Sequence, residues 1–166
     1  QYDSDDAASE TSSVCSERSH SSYSGRTTED LGSIVAQLGS SSHLDRKDGL
    51  LSLQHLLRSN RCLSRAELKK VSEMFTRMFH DPHSKVFTMF LDTLIDLVYL
   101  QSSDLTDWLH ILLPRLLTKA GSEMLGSVAN KVQKTLDVIR DCFPYDYQFN
   151  TLTKFIIDQA QGPNLR

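Results

Sequence analysis

His80 and His83 flank an Asp81-Pro82 dipeptide, a spacing that could present two imidazoles to one metal ion. A closed metal site needs further donors, and no third ligand lies nearby in sequence, so the pair reads as turn chemistry. Asp92 and Asp96 stand one helical turn apart. Their spacing suits an exposed acidic stripe better than a general acid and base. Cys15, Cys62 and Cys142 show no C-x-x-C spacing, which gives neither a disulfide framework nor a zinc knuckle and fits a reducing compartment. The chain has no G-x-S-x-G elbow, no G-x-x-x-x-G-K-[ST] loop and no G-x-G-x-x-G turn. Neither an enzyme nor a cofactor is therefore expected. What remains are cations near turns: Arg46, Lys47, Lys85, Lys131 and Lys134.

The elements that must carry those cations are helices. Leu31, Ile34, Val35 and Leu38 recur at helical spacing behind Thr28, and Gly39 ends that stretch. A second helix carries Leu50, Leu53, Leu56 and Leu57 to about Ser59. In the third, Ser64-Arg-Ala-Glu67 is a capping box flanked by Leu63 and Leu68 as a hydrophobic staple. Its buried stripe is Leu68, Val71, Phe75, Met78 and Phe79. The fourth helix, Val86 to Leu100, is apolar on more than one face and must be covered on both sides. Asp81 reads as its N-cap and Pro82 as its first residue, which leaves Lys85 against the helix dipole.

A fifth helix starts near Ser103 with Asp104 and Asp107 in its first turn, buries Leu105 to Leu117 with Trp108 in the core, and should kink at Pro114. A sixth runs from about Ser127 to Cys142. The seventh carries Phe149, Leu152, Phe155 and Ile156 as its apolar stripe until Gly162-Pro163. His55 and His110 read as helix-surface residues. Period-two alternation is absent, so the fold class is all-α.

These helices pair. Arg46, Lys85 and Lys131 each open the second member of a pair, at steps of 39 and 46 residues. That period matches HEAT-type helical hairpins, which bury their apolar faces only by stacking into an α-solenoid. An irregular helical bundle is the competing architecture. In a solenoid the turns within each pair align along one edge, and the basic residues would form a ridge suited to an acidic protein surface.

Composition separates two regions of the 166 residues, whose net charge is −3. Residues 1–30 hold nine Ser, seven Asp or Glu and two Arg, a local charge of −5; the remainder carries +2. Residues 1–27 read as a disordered Ser-rich linker, with Ser12, Ser13, Ser16 and Ser19 open to phosphorylation. An acidic tail could also fold back on the basic ridge. The near-balance of charge in 31–166 argues against nucleic acid as a partner. No apolar run is long enough to span a bilayer, and no signal peptide is visible. The chain reads as a piece of a longer protein.

Several stretches resemble one family. They are Leu63-Ser-Arg-Ala-Glu-Leu-Lys69, Met74-Phe-Thr-Arg-Met-Phe79, Asp81-Pro-His-Ser-Lys-Val-Phe-Thr-Met-Phe-Leu91 and Leu125-Gly-Ser-Val-Ala-Asn-Lys-Val-Gln-Lys-Thr-Leu-Asp-Val138, with the lead-in Tyr2-Asp-Ser-Asp-Asp-Ala-Ala-Ser-Glu-Thr-Ser-Ser-Val-Cys-Ser-Glu-Arg-Ser19. Together they look like the cytoplasmic linker-associated proteins, and are most similar to the third TOG domain of that family. The resemblance implies a TOG paddle, of which 28–166 would supply three HEAT repeats and the first helix of a fourth. It implies αβ-tubulin and microtubules as partners, other proteins being the alternative, and roles in microtubule stabilisation, rescue and catastrophe suppression at spindle, kinetochore and cell cortex. Carried over by position, the contacts are Leu44, Arg46, Lys47, Ser84, Lys85, Lys131 and Lys134. Related domains offer a tryptophan at the first turn, where this sequence has Leu44.

Overall fold

The structure, a computed structural model, describes residues 31–123 and 126–161. The expected linker over 1–27, the Thr28 cap and the Gly162-Pro163 stop lie outside them. Seven α-helices and no strand occur among the described residues. They are α1 (31–38), α2 (His43–Arg58), α3 (Arg65–Met78), α4 (Ser84–Gln101), α5 (Leu109–Ser122), α6 (Gly126–Cys142) and α7 (Tyr145–Gln161). Two 3-10 turns, Ser102–Asp104 and Thr106–Trp108, lead into α5.

The helices form hairpins α1/α2, α3/α4 and α5/α6. The second members stack in the order α2, α4, α6, and α7 lies on α5. Side-chain bonds cross from each hairpin to the next at a near-constant sequence step. Arg46 reaches Asp81 across 35 residues, Gln54 reaches Thr93 across 39, Arg58 reaches Asp96 across 38 and Lys131 reaches Asp92 across 39. A chain that meets itself at such a step is a solenoid of helical hairpins, and the bundle alternative fails on that regularity.

Covered by α2 and α6 on its two flanks, α4 explains its own composition. Val86, Phe90, Leu91, Leu94, Leu97 and Val98 are wholly buried, and so is Thr93. Each large apolar side chain sealed this way contributes about 1.5–3 kcal/mol. Phe90 meets Phe75 and Phe79 edge-on at 5.1 and 5.0 Å, tying α4 to its hairpin partner α3. Trp108 is core as expected, and its indole donates to Thr76 Oγ1 at 3.0 Å.

The capping box of α3 is present with both bonds made: Glu67 N–H donates to Ser64 Oγ, and Ser64 N–H to Glu67 Oε1. The start of α4 differs from expectation. Its N-cap is His83 and Pro82 lies in the turn before it. Asp81 instead accepts the His83 backbone N–H at 2.9 Å and binds Arg46, so its carboxylate is committed to the turn and cannot cap the helix. Likewise α5 starts at Leu109, past Asp104 and Asp107. The preceding chain is tied down by Gln101, whose amide clamps both the N–H and the carbonyl of Leu63. Helix α5 continues through Pro114 to Ser122.

The seventh helix also departs from its expected stripe. Leu152 and Phe155 are half-buried, but Phe149 and Ile156 are 69% and 63% exposed. Its periodicity is real, yet among the described residues its main packing is against α5.

Candidate partner-binding edge

The turns inside the first two hairpins form one continuous surface. His43, the first residue of α2, stacks face to face on His83, the N-cap of α4, with ring centroids 4.3 Å apart and planes within 9°. Beside them, Arg46 binds Asp81 through two parallel contacts of 2.7 and 3.1 Å, and its third nitrogen reaches the carbonyls of Ser40 and Ser41 at 3.0 Å each. The Asp81 carboxylate is 3% exposed and the Arg46 side chain 13%. A fork-to-fork pair this deep is held by geometry that lysine could not reproduce. Arg46 therefore builds the edge; its guanidinium is turned inward.

The other expected contact residues are placed differently. Leu44 is 59% exposed, one residue past the stacked His43. Ser84 and Lys85 occupy the first two positions of α4 and are exposed, and Lys47 is half-buried on α2. Neither Lys47 nor Lys85 has an ion-pair partner among the described residues. With amide N–H groups at the start of α4 beneath it, Lys85 adds full positive charge to a partial one, and no carboxylate there offsets it. Leu44, Lys47, Ser84 and Lys85 thus share the joined edge of the first two hairpins.

Lys131 and Lys134 lie farther along α6. Lys131 donates to Asp92 at 2.7 Å, bridging α6 to α4. Lys134 is exposed one turn beyond. Asp92 and Asp96, expected as a free acidic stripe, are each paired to a neighbouring hairpin, Asp92 to Lys131 and Asp96 to Arg58. The two histidines around Asp81-Pro82 part company: His83 stacks on His43, while His80 Nε2 accepts from Arg115 at 2.8 Å. His55 and His110 are exposed on their helices.

Sequence reasoning missed the His43–His83 stack, the Gln54–Thr93 bond and the Arg58–Asp96 pair. A signal for the last was available: opposite charges 38 residues apart, within one residue of the Asp92–Lys131 step. Among the described residues, two titrating groups are perturbed. Burial pushes the Glu67 carboxyl up, but the Ser64 N–H and the Arg61 guanidinium outweigh it, and the group ends below its ordinary range. Burial, helped by Asp141, pushes the Cys142 thiol up.

Stacked hairpins with one edge of turns define an α-solenoid of the HEAT type. No family model matches the chain. It is 57% identical over 172 aligned residues to CLIP-associating protein 1-A of Xenopus laevis, and 39% identical over 186 to the CLIP-associating protein of Drosophila melanogaster, each match covering 99% of this chain. CLIP-associating protein 1 of Xenopus tropicalis is 56% identical over the same share. The chain belongs to the CLIP-associating protein (CLASP) family, and it spans about 12% of the length of these relatives. No helix among the described residues is long and apolar enough to cross a membrane.

Proposed function

We propose that residues 28–166 are part of a TOG-type module that binds αβ-tubulin through the edge formed by the hairpin turns. Leu44, Lys47, Ser84 and Lys85 make the contact, with Lys131 and Lys134 extending it along the third hairpin. Arg46 acts from behind by fixing the first turn to the second. In the whole protein the module contributes to microtubule stabilisation, rescue and suppression of catastrophe, at spindle, kinetochore and cell cortex. The observation that carries this reading is the edge itself: two turns locked together, with the exposed Lys85 and the half-buried Lys47 making no ion pair among the described residues. An acidic protein surface is the complement of such an edge.

The test is tubulin co-sedimentation at low salt with Lys85→Glu and with Lys47→Ala/Lys85→Ala. Both variants should retain the wild-type unfolding midpoint and bind several-fold more weakly, and wild-type binding should fall as salt rises. Unchanged binding by both variants would reject the reading.

The name of the relatives, CLIP-associating protein, favours a second reading, in which the edge docks another protein and tubulin is secondary. The smaller, purely apolar Leu44 at the first turn suits either partner. Proteins captured by the chain that excess tubulin cannot displace would favour this second reading.

A further inference from the structure

A groove of about 850 Å³ runs beside the turn edge, between the end of α3 and the length of α5. Its apolar floor comes from Phe79, Ile111 and Pro114, and its rim carries His80, Arg115 and Lys119. The charges on the rim are unbalanced. Arg115 donates to His80, and Lys119 sits 4.6 Å over the Phe87 ring; neither pairs with a carboxylate among the described residues. Asp81 is the only acid among the described lining residues, and its charge is already committed to Arg46. A cationic rim over an apolar floor fits an acidic peptide that carries an aromatic or aliphatic side chain.

We propose that this groove takes the acidic stretch at the start of the same chain, Tyr2-Asp-Ser-Asp-Asp-Ala-Ala-Ser-Glu10, with its carboxylates on Arg115 and Lys119 and Tyr2 on the apolar floor. Charge selects it: residues 1–30 carry −5, and Asp3, Asp5, Asp6 and Glu10 fall within eight residues with no cation among them. Reach permits it. From residue 31 back to residue 6 an extended chain spans about 80 Å, whereas neighbouring hairpins stack about 10 Å apart. Tethering replaces a bimolecular encounter with an effective concentration on the order of millimolar, so a few weak ion contacts suffice.

Zero-length carbodiimide coupling of the full chain, followed by peptide mapping, tests this directly, because it joins a carboxylate to a lysine amine only in contact. Lys119 should couple to Asp3, Asp5, Asp6 or Glu10 with a yield roughly fivefold or more above that of the exposed Lys69 and Lys70, and high salt should remove the excess. In a mixture of isotopically labelled and unlabelled chains the products should be intramolecular. Arg115→Gln should lower the Lys119 yield, and replacing the four acids by their amides should shift the backbone resonances of Arg115, Thr118 and Lys119 in the full chain. Equal yields at Lys69 and Lys119, coupling confined to Lys47 or Lys85, or products only between molecules would each overturn the proposal.

Discussion

The junction between the first and second hairpins and the junction between the second and third carry ion pairs of different kinds. At the first, Arg46 and Asp81 are nearly dry, bidentate and bonded to two further carbonyls, and an imidazole stack closes the surface over them. At the second, Lys131 and Asp92 meet through a single contact with 29% and 37% of their side chains still in water. A basic residue paired across a hairpin junction is therefore not one kind of feature. Desolvation decides whether it is scaffold or surface: a buried charge that loses its partner is strongly destabilising, while an exposed pair contributes little.

The sharpest way to break this contrast is to remove one partner at each junction. Arg46→Ala leaves the Asp81 carboxylate buried and unpaired, and should lower unfolding stability by about 3–5 kcal/mol in denaturant titration. Lys131→Ala should cost about 0–1 kcal/mol. Similar losses for the two would erase the distinction.

Next in size is the packing beneath the first turn. A Cβ on Gly49 would come within 3.0 Å of Gln37 Cβ and 3.3 Å of the Ile34 carbonyl, so α2 approaches α1 through a glycine. Gly49→Val should destabilise by about 1–3 kcal/mol through overpacking, read from the same titration. A neutral result would show that the first hairpin is loose, and the Arg46 contrast would need another cause.

A smaller effect belongs to the opposite side of the stack, at the start of α3. Ser64→Ala should cost about 1 kcal/mol. The Glu67 carboxyl is held below its ordinary range in the folded state. Its contribution is therefore complete at neutral pH and is lost as pH falls from the ordinary carboxylate range through the lower folded value. Glu67→Gln should flatten that part of the stability profile, leaving the rest of the acid limb in place.

The helices themselves were legible because 3.6-residue periodicity is local, and the Ser64–Glu67 box because its two bonds close within four residues. Asp81 misled for a related reason: an Asp-Pro pair before an apolar run looks like a cap, and only the approach of Arg46 from 35 residues away redirects it. Gly49 inside a helix gave no local hint, since its need is set by α1. The exposed face of α7 shows the same limit from the other side. Its apolar spacing is helical, but burial depends on what lies across from it, and among the described residues its main packing partner is α5. Within the edge, the sequence named the cations, whereas their separation into scaffold and contact required the stacked geometry.

That separation is tested most directly by measuring tubulin affinity and unfolding midpoint together for Lys85→Glu. Exposed and unpaired among the described residues, Lys85 should leave the midpoint at the wild-type value while affinity falls several-fold. An unchanged affinity with an unchanged midpoint would contradict the assignment of this edge to tubulin. A lowered midpoint would contradict the division between Lys85 as surface and Arg46 as scaffold.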